Sequence, residues 1–159
     1  MPIIRDEAKR KEIIDLLTRG YWMEIETVQN YIANSVNLDG VRAEEIKKSL
    51  SADITAEIGH AQLFARRIKE LYGFVPGSME FKAEQRSLQP SKDTTDVVHV
   101  IKGVIEAEQG AIDHYTRVIK ASEGVDYVTQ DMMVQILKDE EGHLREFEGF
   151  MNEYDKSGR

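Results

Sequence analysis

Apolar residues recur three and four positions apart over four long stretches of the chain. Ile13, Leu17, Gly20, Val28 and Tyr31 mark the first, about 6–36. Ile46, Leu50, Ile54, Ala61, Phe64, Ile68 and Leu71 mark the second, about 41–72. Val97, Ile101, Val104, Ala111, Tyr115 and Val118 mark the third, about 94–121. Met133, Ile136, Leu144, Phe147, Phe150 and Met151 mark the fourth, about 126–154. This spacing puts the apolar side chains on one stripe of a helix. Each stretch is too long for a strand, and the pattern predicts an all-α domain spanning 1–159.

The breaks set the topology. Asn37-Leu38-Asp39-Gly40 separates the first two stretches, with Asp39 a candidate N-cap for the second helix. Ser122-Glu123-Gly124-Val125-Asp126 separates the last two. Such short turns predict two antiparallel hairpins. The middle connection, about 73–93, is long enough at ~3.3 Å per residue to return along a whole helix. It predicts an up-down-down-up four-helix bundle with helices two and three parallel. Met79, Phe81 and Leu88 within it suggest one or two turns of helix packed on the bundle.

Charged residues interrupt the apolar stripes. Glu24 lies on the first, Glu57 and His60 on the second, Glu108 on the third, Glu140 and His143 on the fourth. Buried carboxylates without a countercharge are costly. Two divalent cations would balance four glutamates, and two neutral imidazoles would complete the ligand set. The arrangement repeats. Tyr31 follows Glu24 by seven residues and Tyr115 follows Glu108 by seven; Glu57-Ile58-Gly59-His60 recurs as Glu140-Glu141-Gly142-His143. Glu-x-x-His sets both side chains on one helical face about a turn apart. A glycine repeated inside a helix, at a cost near ~1 kcal/mol, suggests close packing or space beside the site. The Glu24–Glu57/His60 and Glu108–Glu140/His143 sets are both centred on their hairpin turns, so all six residues can meet at one height. This pattern is the carboxylate–histidine metal arrangement of four-helix bundles.

Composition narrows the partners. The 159 residues carry a formal charge of −8 and no cysteine. The acidic balance argues against nucleic acid as the main partner. The missing cysteines exclude thiolate nucleophiles, disulfides and iron–sulfur clusters. No apolar run approaches the ~18 residues of a membrane span. The charged start, Arg5-Asp6-Glu7, carries no export signal, and a cytoplasmic location is expected.

The stretch Asp126-Tyr127-Val128-Thr129-Gln130-Asp131-Met132-Met133 through Ile136-Leu137-Lys138-Asp139-Glu140-Glu141-Gly142-His143 resembles the fourth helix of bacterioferritins. With the double motif, the chain is similar to the ferritin-like di-iron superfamily over about residues 10–154. The resemblance implies two iron ions per chain, with Glu24 and His60 on one, Glu108 and His143 on the other, and Glu57 and Glu140 bridging. Manganese would also suit this hard, oxygen-rich set. It implies a ferroxidase oxidising Fe(II) with O₂ or H₂O₂ and, in a closed shell, storing the product as mineral. A rubrerythrin-like peroxidase, a manganese catalase and a non-enzymatic bundle with a metal-buffering or structural role are the alternatives. Haem-binding bacterioferritins carry Met beside the Glu of the first Glu-x-x-His; here Ile58 stands there, and no haem is expected. Few residues follow His143, where bacterioferritins carry a fifth helix, and the crossover is longer than a bacterioferritin's; a helix within it would resemble the twelve-subunit miniferritins. A homo-oligomer of twelve is therefore favoured over twenty-four, with a dimer as a further option.

The remaining polar residues have simpler readings. Tyr31 and Tyr115 are candidates to hydrogen-bond a ligating carboxylate on another helix. Glu26 and Glu106 lie about 200° from Glu24 and Glu108 and are expected to face outward, as is Glu141. His99 and His114 are expected on the surface, with His114 a lesser candidate for an iron access point or subunit contact. Tyr21 and Trp22 are expected to pack. Glu44, Glu45, Asp139 and Glu153 read as solvated faces.

Overall fold

A computed structural model describes residues 1–156, apart from the side chain of Asp155. Helix α1 spans Glu7–Asn37, α2 Glu44–Glu70, α3 Val97–Ser122 and α4 Tyr127–Lys156. Single 3₁₀ turns occupy Val41–Ala43 and Ser78–Glu80, and no strand occurs among the described residues. The last three residues of the C-terminal tail lie outside the described residues. Helices α1 and α2 form one hairpin and α3 and α4 the other; α1 against α3 and α2 against α4 close the bundle. The order is up-down-down-up, with the long crossover between α2 and α3.

Aspartates fix three of the four helix starts. Asp6 accepts from the Lys9 amide at 3.0 Å, Asp96 from the His99 amide at 3.0 Å and Asp126 from the Thr129 amide at 3.1 Å. Each satisfies a backbone N–H that the first helical turn leaves unbonded. The expected Asp39 cap is corrected: α2 begins after the 3₁₀ turn at Ala43 and has no side-chain cap. Asp39 instead gives its amide to the Thr94 carbonyl at 2.8 Å, stitching the first hairpin turn to the end of the crossover.

Two apolar clusters fill the bundle, one toward each end. Ile13, Leu17, Phe64, Ile68, Val118 and Met133 belong to the first. Ile46, Leu50, Leu88, Ile101, Val104 and Phe147 belong to the second. Each fully buried aliphatic or aromatic side chain contributes roughly 1.5–3 kcal/mol, so these layers hold the helices in register. The polar middle lies between them.

The crossover departs from expectation. Its only helical element is the 3₁₀ turn Ser78–Glu80, and Met79 is 97% exposed. Leu88 is fully buried and joins the second cluster. The rest stays irregular because α1 side chains satisfy its backbone. Glu26, expected to face solvent, is buried and accepts from the amides of Glu84 at 2.7 Å and Gln85 at 2.8 Å. Its direction away from the bundle centre follows the helical geometry, but the crossover lies over that face.

Candidate metal centre

All four helices send carboxylates to one level between the apolar clusters. Glu24 comes from α1, Glu57 and His60 from α2, Glu108 from α3, Glu140 and His143 from α4. The four glutamates are almost completely buried. His60 Nδ1 lies 3.0 Å from Glu140 Oε1 and 3.6 Å from Glu24 Oε1. His143 Nδ1 lies 3.3 Å from Glu57 Oε1 and 3.6 Å from Glu108 Oε1. Donor atoms of Glu24, Glu57, His60 and Glu140 lie within 4.8 Å of one another, as do those of Glu57, Glu108, Glu140 and His143. The two groups share Glu57 and Glu140. The structure thus brings all six sequence-derived candidates together.

Tyrosines tie the site across α1 and α3. The Tyr31 hydroxyl donates to Glu108 and the Tyr115 hydroxyl donates to Glu24. Both tyrosines are fully buried, and their own ionisation is pushed well up, by burial first and nearby carboxylates second.

Two aspartates hold the outer faces of the imidazoles. His60 Nε2 lies 2.8 Å from Asp139 Oδ2, and His143 Nε2 lies 3.3 Å from Asp53 Oδ1. Asp139, expected on a solvated face, has a side chain 53% exposed that nonetheless caps His60. Asp53 was not among the expected site residues. The available signal was an acid on the second apolar stripe, one helical turn before Glu57.

Crowding of acids in an apolar middle governs their charge. Burial pushes the Glu24 carboxyl up to about 7, against hydrogen bonds that favour its charged form. Burial also drives Glu57 and Glu140 well above the ordinary range, with further upward pressure from Glu24. Glu108 is opposite: burial raises it, but the approach of His143 and Glu140 and the hydrogen bond from Tyr31 leave it lowered. For His143, burial lowers the pKa, and the neighbouring Glu108 and Glu57 carboxylates outweigh it, leaving about 11. Asp53 is pushed up to about 7, chiefly by burial.

The donors fit bound cations. Glu24 Oε2, Glu57 Oε1, His60 Nδ1, Glu108 Oε2, Glu140 Oε1 and His143 Nδ1 are each buried without a hydrogen bond. One such atom comes from every one of the six residues. A buried polar atom left unpaired costs about 1–3 kcal/mol, so six beside one another call for a shared positive partner.

Other candidates fall elsewhere. Glu106 and Glu141 are exposed, and His99 is an exposed residue whose Nε2 donates to the Gln89 carbonyl at 2.9 Å. The surface expectation for His114 is corrected. It is buried at the α1–α3 seam, its Nε2 donates to the Leu16 carbonyl at 2.8 Å, and burial lowers its pKa. Tyr21 packs against the first apolar cluster, and both it and Trp22 line a cleft under crossover residues Pro76 and Phe81. Within the chain the repeated glycines do not serve close packing. A Cβ on Gly59 or Gly142 would meet nothing within 4 Å, because both point away from the site.

An antiparallel four-helix bundle with four glutamates and two histidines converging at its centre defines a helical-bundle carboxylate protein. Residues 14–157 match the ferritin-like domain family, and the chain belongs to it. It is 26% identical over 143 residues to the bacterioferritin of Desulfovibrio desulfuricans, covering 89% of this chain and 75% of that protein. Among solved structures it is similar to the dodecameric thioferritin of Bacteroides fragilis, a bacterioferritin-related protein. The TM-score is 0.84 at 24% identity, over 94% of this chain and 89% of that one. It is also similar to a ferritin-like, diiron-carboxylate protein of Bacillus anthracis. There the TM-score is 0.79 at 20% identity, over 89% of this chain and 96% of that one. No helix among the described residues is long and apolar enough to cross a membrane.

Proposed function

We propose that this protein is a di-iron ferroxidase of the iron-storing and iron-detoxifying kind, acting in the cytoplasm as a homo-oligomeric shell. The observation that carries the reading is the ring of six buried, unbonded donor atoms, one from each of Glu24, Glu57, His60, Glu108, Glu140 and His143. Two Fe(II) ions are the substrate. Together they give up two electrons, which with two protons reduce one O₂ to H₂O₂ or one H₂O₂ to two waters.

The chain's own residues have separable tasks. Glu57 and Glu140, common to both donor groups, hold the two ions close enough to share one oxidant. Glu24 and His60 complete one position, Glu108 and His143 the other. Asp139 and Asp53 fix the Nε2 side of each imidazole and keep Nδ1 turned inward. Tyr31 and Tyr115 each occupy one oxygen of Glu108 and Glu24 and leave the other for metal. The similarity to a dodecameric relative supports a twelve-subunit shell. That relative is described as a thioferritin, whereas this chain has no cysteine, so any thiol chemistry is absent from its own side chains.

Loading the apo protein with Fe(II) tests the reading. Storage predicts uptake far beyond two irons per chain, in particles of shell mass. Uptake that stops at two with rapid peroxide turnover would instead indicate a rubrerythrin-like peroxidase, or with manganese a catalase. A bundle that neither oxidises nor accumulates iron would be structural or metal-buffering.

A further inference from the structure

Sulfur in this chain is confined to six methionines, and they differ sharply in exposure. Met133 is fully buried in the first apolar cluster, whereas Met79 stands almost fully exposed on the crossover. Met23 lies between these extremes. It packs on the flank of the first cluster and lines a solvent-open cleft of about 340 Å³ between α1, the crossover and α3. Gln85, Ser87, Ala107 and Gly110 line the same cleft. Ala107 packs on the flank of the second cluster, so the cleft spans the level between the clusters, where the metal centre lies. Met23 and Ala107 directly precede Glu24 and Glu108 in sequence. The Tyr115–Glu24 and Tyr31–Glu108 hydrogen bonds cross the same α1–α3 seam. Met23 is turned about 100° from Glu24 around α1, which sets its thioether at the seam and not among the ligands.

We propose that Met23 is an oxidative modification site of this protein, its thioether intercepting H₂O₂ that leaves the metal centre along the α1–α3 seam. The proposal rests on the ferroxidase reading with O₂ as oxidant, which supplies the peroxide. The sulfur lone pair attacks one peroxide oxygen, an S–O bond forms and the O–O bond breaks. The proton on the transferred oxygen passes to the departing hydroxide, which leaves as water. Sulfur is oxidised by two electrons and peroxide is reduced by two, giving methionine sulfoxide and one water. A thioether carries no proton to lose before it reacts, and the chain has no thiol to compete with it. Position favours Met23 over its relatives. A sulfoxide is polar, and at Met23 its oxygen can turn into the open cleft, whereas at Met133 it would be buried among apolar side chains. Met79 lies outside the bundle and meets peroxide only from bulk solvent. Each chain intercepts one peroxide in this way until the sulfoxide is reduced.

Isotopic oxygen tests this in the assembled protein. Fe(II) is added in small portions under ¹⁸O₂, with catalase in solution to destroy peroxide that reaches the bulk, and peptide mass spectrometry reads the ¹⁸O gained at each methionine. Met23 should gain about fivefold more label than Met79 or better. Unlabelled H₂O₂ added from outside to the metal-free protein should reverse that order and mark Met79 first. Glu57→Gln, which lacks a shared ligand, should leave Met23 unlabelled under ¹⁸O₂. Met23→Leu should oxidise Fe(II) at the wild-type rate and, without catalase, release more H₂O₂ in its first turnovers. The proposal is overturned if Met23 gains no ¹⁸O, if it gains label no faster than Met79, if Glu57→Gln labels it as the wild type does, or if Met23→Leu releases no extra peroxide. Failure of the ferroxidase reading shows itself separately: protein that consumes no O₂ when given Fe(II) removes that reading, and the proposal with it.

Discussion

Asp53 and His143 meet across the α2–α4 gap, with Oδ1 3.3 Å from Nε2, one helical turn from Glu57. The aspartate holds the imidazole by its outer nitrogen and leaves the inner one facing the four glutamates. Removing that support lets the ring rotate and favours the wrong tautomer. Asp53→Asn should therefore weaken Co(II) or Fe(II) binding by on the order of 10–100-fold. Asp139→Asn should weaken it less, because water can replace a half-exposed partner of His60. Competition with a chelator of known affinity measures both. Equal affinities in Asp53→Asn and wild type would show that the imidazole is positioned by packing alone.

The tyrosines make a different prediction, about the metal-free fold. Tyr31→Phe and Tyr115→Phe each strip a buried carboxylate oxygen of its donor while conserving the ring. Each should cost about 1–3 kcal/mol in denaturant unfolding of the apo protein at neutral pH. Tyr31→Phe should also raise the Glu108 pKa, since the hydroxyl is one of the bonds that lower it. A loss under roughly 0.5 kcal/mol would mean that another donor takes over.

The four helices and the six convergent side chains were legible because helical periodicity and a spacing repeated between hairpins both report on local geometry. Residues equidistant from a hairpin turn lie level, so register followed from counting. What sequence left hidden depends on a segment without periodicity. The crossover carries Pro76, Gly77 and Pro90 and a run of polar residues, and no local rule tells which face it will cover. Glu26 points away from the bundle centre as helical geometry requires, and only the fold shows that the crossover lies over it. His114 follows the same rule, since only the α1–α3 seam shows that Leu16 offers it a carbonyl. Asp53 and Asp139 support ligands from the next helix over, a relationship that spacing along one helix does not encode.

Haem provides a separate test. Ile58 is 44% exposed on the outer face of α2, and an aliphatic side chain has no donor for iron. Haem titrated into the purified protein should give no bis-methionine spectrum. A stoichiometric six-coordinate spectrum would contradict this and would direct attention to another methionine, such as Met23.

The apo site should make the protein less stable as pH rises, and metal should reverse the trend. A carboxyl whose folded pKa lies above its unfolded value costs nothing while protonated in both states. The cost develops as pH climbs from the unfolded value to the folded one and is complete above it. For Glu24 that window runs from 4.5 to about 7, and Asp53, Glu57 and Glu140 shift in the same direction. At ~1.4 kcal/mol per unit, Glu24 alone corresponds to roughly 3 kcal/mol. His143, raised to about 11, contributes stability that is fully present below 6.5, so it does not offset the fall within this window. Apo stability should accordingly drop between pH 4.5 and 7. Fe(II) or Mn(II) displaces the protons and binds only the folded state, so its increase in Tm should be larger at pH 7 than at pH 5. Glu57→Ala or Glu140→Ala removes one repelling charge together with a shared ligand. Either should raise apo stability at pH 7 or leave it little changed, while abolishing iron oxidation; Glu57→Gln should show the gain without the cavity. Glu106→Ala, at an exposed position, should oxidise iron at close to the wild-type rate. Wild-type oxidation by the Glu57 variant, or complete loss in the Glu106 variant, would place the active site elsewhere.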